Sequence, residues 1–344
     1  MSGFRPVHVA GFAQLPNLPR LDGYDEAEMV QEITERALAD AGLARSDVGF
    51  TCSGSNDYVM GRPFSFTMAL DGLGAWPPIR ESHVEMDGAW ALYESWVRLQ
   101  HGDVDVALVY AFGKSSLGSV ERVHALEMDP YTLAPLGIDP TSLAAMQTRM
   151  ALEQGMTSEA ELARIVRRSR RDGTANPWAP DVEDVEEPQI QESAMVRDPL
   201  RAMDLPTRTD GAACVVLRVG GGGPRIRGLA HIMDAHQPGF RDLLRPSSAM
   251  RALEAAGGAD GVEVAELHAP YPVQEILLKR AFGLDDDVRI SPSGGAFAAC
   301  TPMVAGLVRI GEAAMAVRGG ARAALGHATS GVALQHNLVC VLEA

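Results

Sequence analysis

Lysine is almost absent from this chain: Lys114 and Lys279 are the only two in 344 residues. Chemistry through a lysine Schiff base would have to use one of them. Cysteine is also scarce, with Cys52, Cys214, Cys300 and Cys340 scattered and no Cys-x-x-Cys pair. That spacing argues against a zinc site or a disulfide framework and predicts reduced thiols. No apolar run approaches the roughly 20 residues that span a bilayer. The opening MSGFRPVHVAGFAQL has no long apolar stretch behind a basic start, so no secretory leader is expected and the location is read as cytoplasmic. Positive charge is in deficit overall, at a net −15. Nucleic acid and anionic membranes are therefore not expected as partners. No nicotinamide fingerprint, phosphate-cradling P-loop or metal-ligand spacing is present.

What remains is an ordinary globular composition, 46% hydrophobic and 22% charged, on a chain long enough for one or two domains. HVAGFAQ (8–14) alternates as a strand, and a helix over 25–42 ends at Gly42, a suitable C-cap. DVGFTCSG (47–54) reads as strand into turn. After a Gly/Pro-rich stretch, HVEMDG (83–88) opens a helix through Gln100, and DVALVYAFG (105–113) is a buried strand. The second half repeats the order. It has a helix at 247–257, a strand at 262–271, a Gly-rich loop at 291–300 feeding a helix to about Val317, and strand into turn at 321–331. Gly220–Gly223 reads as a plain turn joining two strands. Repeated strand–helix–strand order with short glycine connections predicts parallel sheet covered by helices, with active loops at the strands' carboxyl ends.

Residues 120–205 interrupt the repeat with helical pieces at 141–154 and 158–172 and an acidic run at 181–187. This segment is expected to be a lid or a subunit contact. Its Arg164, Arg167, Arg168, Arg170 and Arg171 form either a solvated helix face or an anion site, such as one for a phosphate.

Three segments carry a resemblance. SPSGGAFAACTP (291–302) resembles the Asn-Pro-x-Gly-Gly…Gly-His-Pro segment of the thiolase superfamily. DPLRAMDLPTRTDGAACVVL (198–217) is similar to the stretch that closes the thiolase loop domain and starts the second half. VEVAELHAPYPVQEILL (262–278) resembles the strand and turn bearing a His-Asp-x-Phe or Asn-Glu-x-Phe motif. The resemblance covers nearly the whole chain and is closest to the sterol-carrier-type and lipid-transfer-protein thiolase-like families. It implies an α/β thiolase fold with duplicated halves in an αβαβα arrangement. The halves are expected at 1–119 and 206–344, with 120–205 as the loop or lid insertion.

The same resemblance locates the candidate residues. The family's nucleophilic cysteine opens a helix in a Cys-x-x-Gly turn, and the matching turn here is Glu85-Met86-Asp87-Gly88. Glu85 thus stands in the cysteine's place as a general base, unless it or Asp87 merely caps the helix. The Gly-His-Pro position reads Cys300-Thr301-Pro302, so the family histidine is replaced. Cys300 is either a nucleophile needing His327 as its base or a structural thiol. His268 matches the residue that polarises the thioester oxygen, while Ala269 replaces the motif's acidic residue. Tyr271 brings a hydroxyl where an inert ring usually sits, or simply packs. His327 falls where thiolases place their second acid/base, with His336, in LQHN, as the alternative. Ser293, Gly294 and Gly295 are the expected coenzyme A contacts.

These positions imply a thiolase-like protein acting on an acyl-CoA. The first expectation is carbon–carbon lyase chemistry, retro-aldol cleavage of a 3-hydroxyacyl-CoA on a steroid or lipid side chain, which needs no acyl-enzyme. A non-catalytic subunit and an ordinary acyltransferase or thiolase are the alternatives. The family further implies a homodimer or a heteromer with a thiolase-like or OB-fold/zinc-ribbon partner. Pairing is expected around Gly54–Asn56 or through the strand leading to His83. Neither the acyl group nor the partner is written in the sequence.

Overall fold

The computed structural model describes residues 3–61, 63–74 and 80–344; residues 75–79 of the Gly/Pro-rich stretch lie outside the described residues. The first half runs β1 (Val7–Gln14), α1 (Glu26–Ala41), β2 (Phe50–Gly54), α2 (Asp57–Met60), α3 (Ser65–Leu73), β3 (Glu81–Val84), α4 (Gly88–His101) and β4 (Val106–Gly113). The segment after it holds α5 (Val120–Leu126), α6 (Pro140–Glu153), α7 (Glu159–Gly173), α8 (Glu187–Glu192) and a small hairpin, β5 (Met195–Arg197) with β6 (Leu200–Arg201). The chain then continues through β7 (Gly211–Val219), β8 (Arg225–Met233), α9 (Ser247–Ala255), β9 (Val264–Glu266) and α10 (Pro272–Phe282). It closes with β10 (Arg289–Ile290), α11 (Gly295–Ala298), α12 (Ala305–Arg318), β11 (Ala323–Ser330) and β12 (His336–Glu343).

Local chemistry sets several of these boundaries. Asp25 accepts from the Glu28 N–H at 2.8 Å while the Glu28 carboxylate accepts from the Asp25 N–H at 2.9 Å, a reciprocal cap that starts α1. Gly42 stops it in the left-handed conformation, at φ 64. Met29, Val30, Ile33 and Ala37 then bury one helix face among β-strand residues such as Leu108, Tyr110 and Val216.

The ten sheet strands run in the order β10-β9-β11-β12-β8-β1-β7-β4-β2-β3. Within each half the spatial order is third, second, fourth, fifth, first. The directions match too: first and fifth antiparallel, fifth and fourth antiparallel, fourth and second parallel, second and third parallel. The duplication expected from the sequence is therefore a duplication of topology. The two sets touch edge to edge through one antiparallel pair, His8 with Arg225.

The boundary between halves differs from the one expected. β7 lies between β1 and β4, so the first sheet is completed by a strand that follows the insertion. The first half closes at Val219 rather than at 119. Gly220–Gly223, all at positive φ, makes the turn into β8. Pairing across some hundred residues leaves no local mark in the sequence, which is why the boundary was read too early.

α4 and α12 lie together in the middle of the molecule and share one core with strands of both halves. α1 and α3 cover the outside of the first half, and α9 and α10 that of the second. α12 is buried on nearly every side. Close approach is bought by glycine: a Cβ on Gly88 would strike Ala111 and Leu307, and one on Gly311 would overlap the Phe12 ring.

Candidate active site

β9 stops at Glu266, shorter than the strand expected over 262–271. The Leu267 N–H goes to Ser291 Oγ at 3.1 Å, and Pro270 and Pro272 have no N–H to give. The chain therefore leaves the sheet, and His268–Tyr271 become the turn into α10, with Pro272 in the first helical turn. His268 Nδ1 accepts from the Thr329 N–H at 3.5 Å, and its Nε2 lies 3.8 Å from Cys300 Sγ. On that network the proton is assigned to Nε2, which points a donor at the thiol. Burial, with His327 and Arg309 nearby, lowers the His268 pKa to about 3, although the residue keeps a partly exposed edge.

Cys300 occupies the short segment between α11 and α12 and is also partly exposed. Its N–H donates to Thr207 O at 2.8 Å, and Arg208 forms a strand-like bridge with it. Burial pushes the thiol up to about 11, against the opposing pull of Arg208 and Arg309. It is a protonated thiol facing an N–H rather than a thiolate facing a base. The Tyr271 hydroxyl pairs with Thr141 Oγ1 at 3.0 Å, and burial raises its pKa. His268, Cys300 and Tyr271 thus lie in one neighbourhood, all neutral and all able to donate a proton.

Arg208 was not legible in the sequence. Its charge acts on Cys300, Tyr271 and His124, and it pairs with the exposed Glu121 at 3.4 Å. Thr301, at the family histidine position, is buried and donates to Asn17 Oδ1 at 2.9 Å, with Thr209 Oγ1 at 2.7 Å.

Glu85 and Asp87 share a turn but have separate surroundings. Glu85 is half exposed and accepts from the Asp57 N–H at 2.7 Å, with His83 Nε2 at 3.1 Å. Asp87 is buried. Its carboxylate accepts from the N–H groups of Ala89 (2.8 Å), Gly306 (2.9 Å) and Leu307 (3.0 Å). One side chain therefore caps α4 and closes the first turn of α12 from the opposite half. Burial still raises its pKa, the three N–H groups opposing.

His327 lies within β11 rather than in the turn after it. Alternation turns Ala324 and Ala328 toward the central core and Leu325 and His327 toward the outer helices. The His327 ring is fully buried, edge-on to Phe282 at 5.5 Å, with Nε2 2.9 Å from Asn337 Oδ1. Asn337 Nδ2 donates to Leu334 O and Ser248 Oγ, which fixes Oδ1 as acceptor and places the His327 proton on Nε2. Nδ1 has no hydrogen-bond partner among the described residues, and burial lowers the His327 pKa to about 4. His336 lies elsewhere, its Nε2 3.1 Å from Trp90 Nε1 and 2.9 Å from His231 Nδ1.

Ser293 is engaged in a buried ion network. Its N–H and hydroxyl donate to Glu266 at 3.0 and 2.7 Å, and Arg309 Nη1 reaches Ser293 Oγ at 2.6 Å and Glu266 Oε2 at 3.0 Å. Gly294 and Gly295 pack against α7, where Ser169 Oγ donates to Gly294 O and a Cβ on Gly294 would meet Gly173. Of the α7 arginines, Arg168 makes a bidentate pair with Glu275 at 2.8 and 2.6 Å, Arg167 pairs with Glu186, and Arg171 with Asp172. Among the described residues no group of three His, Cys, Asp or Glu could hold a metal ion, and no helix is long and apolar enough to cross a membrane.

No protein-family model matches the chain. In sequence it is 25% identical over 371 residues to sterol carrier protein 2 of Gallus gallus, covering 93% of this chain and 67% of that one. The chain thus spans about two thirds of that relative's length, as it does for the Homo sapiens protein, which is 24% identical with 66% covered. It is 24% identical over 329 residues to an acetyl-CoA acetyltransferase of Methanothermobacter thermautotrophicus, covering 85% of this chain and 86% of the other. Human mitochondrial 3-ketoacyl-CoA thiolase in complex with CoA superposes with a TM-score of 0.81 at 14% identity, covering 99% and 98% of the two chains. The Ltp2-ChsH2(DUF35) aldolase does so with 0.81 at 17%, covering 98% of each. With the repeated five-strand order and the paired central helices, these likenesses show that the chain has the thiolase fold and is similar in sequence to sterol carrier protein 2 and acetyl-CoA acetyltransferase.

Proposed function

We propose that the protein is an acyl-CoA carbon–carbon lyase, cleaving a 3-hydroxyacyl-CoA by retro-aldol chemistry. The observation that carries this reading is the geometry around Cys300, whose Sγ lies 3.8 Å from His268 Nε2 in a setting where burial pushes the thiol up to about 11. Such a cluster lacks an activated nucleophile but has donors for an oxyanion. In the reaction a base takes the 3-hydroxyl proton and the C2–C3 bond breaks. Its electron pair enters the thioester carbonyl as an enolate, which is protonated at C2. The products are an aldehyde or ketone and a shortened acyl-CoA. His268 Nε2–H and the Tyr271 hydroxyl stabilise the enolate oxygen. The base falls to Glu85, a solvated carboxylate in the turn where thiolases carry their cysteine, because His327 is sealed beneath Phe282. The subunit pairs through the free edge of β3, with a second copy or with an OB-fold/zinc-ribbon partner.

A second reading, a non-catalytic thiolase-like subunit, is favoured by Thr301, a buried hydroxyl where the family has histidine. The test is mass spectrometry of products after incubation with a 3-hydroxyacyl-CoA and with an acetoacyl-CoA, alone and with the proteins encoded beside it. Carbonyl release, suppressed about 100-fold or more by His268→Ala or Glu85→Gln, supports the lyase. Coenzyme A-dependent thiolysis lost in Cys300→Ala overturns it in favour of an acyltransferase. Absent turnover with acyl-CoA binding intact assigns the chain to the subunit class.

A further inference from the structure

A second cleft, of about 540 Å³, opens between the end of β1, the side of α12 and the segment after α7. That volume falls within the range of small-molecule sites. Phe12, Trp178 and Met315 give it apolar walls, and Glu312, Asp172 and Arg289 bring charge. His268, Cys300 and Tyr271 are not among its lining residues, whereas Ser293 and Glu266 are, so it lies against the buried ion network and apart from the Cys300 cluster.

The polar groups here are unevenly satisfied. Gln14 Nε2 donates to Glu312 Oε1 at 2.5 Å, and Gln14 Oε1 accepts from Asn17 Nδ2 at 3.3 Å. Among the described residues no donor reaches the other Glu312 oxygen. The nearby Arg309 guanidinium is committed to Glu266 and Ser293. Asp172 is occupied by Arg171 at 3.0 Å, and Arg289 sits on the exposed rim. Glu312 thus has no ion pair among the described residues and lies beside the Phe12 ring, the Met315 thioether and Trp178, one face of which already holds the Arg36 guanidinium at 5.9 Å, in a protein of net charge −15. Aromatic faces and an unpaired carboxylate favour the same ligand, a positively charged nitrogen on an apolar body.

We propose that this cleft binds an alkylammonium ion, with the nitrogen on the free oxygen of Glu312 and the alkyl chain against Phe12, Trp178 and Met315. Burial, with Glu266 adding to it, raises the Glu312 pKa to about 7, while Arg309 and Gln14 oppose the rise. A cation that pairs with the ionised form therefore releases a proton on binding near neutral pH and binds more tightly as pH rises from 6 to 8. The proposal does not depend on acyl-CoA chemistry.

The test is calorimetric titration of the full chain with n-hexylammonium chloride, using n-hexanol as the neutral isostere. Two buffers of different ionisation enthalpy count the protons released. The expected result is saturable binding of the ammonium, weaker binding of the alcohol, and loss of affinity by about tenfold or more in Glu312→Gln. Met315→Trp, which fills the cleft and leaves the carboxyl in place, should abolish binding. Equal binding of ammonium and alcohol overturns the proposal, as does an affinity unchanged in Glu312→Gln or the absence of saturable binding. If Glu312→Gln fails to fold, the Met315→Trp result and the proton count decide.

Discussion

The two halves are the same five-strand sheet built twice, and the place where they differ is where the candidate chemistry lies. β4 and β11 are the fourth strands of their halves, each eight residues long. Aligned end to end, Tyr110 falls on His327 and Ala111 on Ala328. Both alanines face a glycine at the start of a central helix, Gly88 and Gly306 respectively. Tyr110 and His327 are both buried and both face the outer helices. His327 therefore fills, in its half, a position that is plain core in the other. By the same alignment Gly54, at the end of β2, corresponds to His268. The first half presents a backbone there and the second presents an imidazole. The connection between the fourth and fifth strands differs as well, a short turn in the second half and the whole 120–205 insertion in the first.

The largest expected effect falls on the tie between the halves. Asp87→Ala strands three buried N–H donors and should cost about 3–6 kcal/mol in denaturant unfolding. Asp87→Asn, which keeps an acceptor, should cost less. An unchanged midpoint for the alanine variant would mean that the two helix starts do not need the carboxylate. Next comes Gly311→Ala, whose methyl must displace the Phe12 ring. Overpacking of this kind costs about 1–3 kcal/mol, and the paired control is an alanine at the solvent-facing Gly118, whose backbone is extended and whose Cβ would meet nothing.

A third test separates His268 from His327 by pH. Both have folded pKa values below the ordinary imidazole value, to about 3 and about 4. Between those values and about 6.5 the unfolded chain binds more protons, so stability should fall as pH drops through that window and level off below it. His327→Phe should flatten part of this fall and leave any turnover within a few-fold, as expected of a core residue like Tyr110. His268→Ala should flatten it too, but remove turnover. Turnover lost equally in both would return His327 to the chemistry.

The smallest effect is expected at Glu312. Its folded pKa of about 7 exceeds the ordinary value, so it opposes folding as pH rises from about 4.5 to 7. Glu312→Gln should therefore stabilise by the order of 1 kcal/mol at pH 8 and by little at pH 4. Melting temperatures across that range measure it.

Much of the fold could be read from local signals: the α1 caps, the α4–β4 and α12–β11 repeat, and the glycine turn at 220–223. α10 was missed because two prolines precede an apolar stretch that continues a strand reading, whereas proline at the first helical turn is equally a helix start. The membership of β7 in the first sheet is non-local and left no mark. Within the site, the inward face of β11 was in fact written out. Ala324, Gly326 and Ala328 are the small residues a buried helix demands, so His327 between them had to face the other way. Asp87 showed itself only as a cap, because its second helix lies some two hundred residues downstream. Arg208 reaches Cys300 through a bridge between distant segments, which no spacing rule encodes.

The Asp87 carboxylate also restricts how a large substrate can enter. Spreading the halves would strip that buried carboxylate of the Gly306 and Leu307 N–H groups, leaving it only the Ala89 N–H of its own helix. The central helices are in effect riveted, and the seam between them is not a door. On the outside, Thr141 at the start of α6 and Arg208 where the insertion rejoins the sheet stand against Tyr271 and Cys300. The 120–205 segment thus contributes Thr141 to the surroundings of Tyr271, and a change in that segment bears on the space beside the cluster.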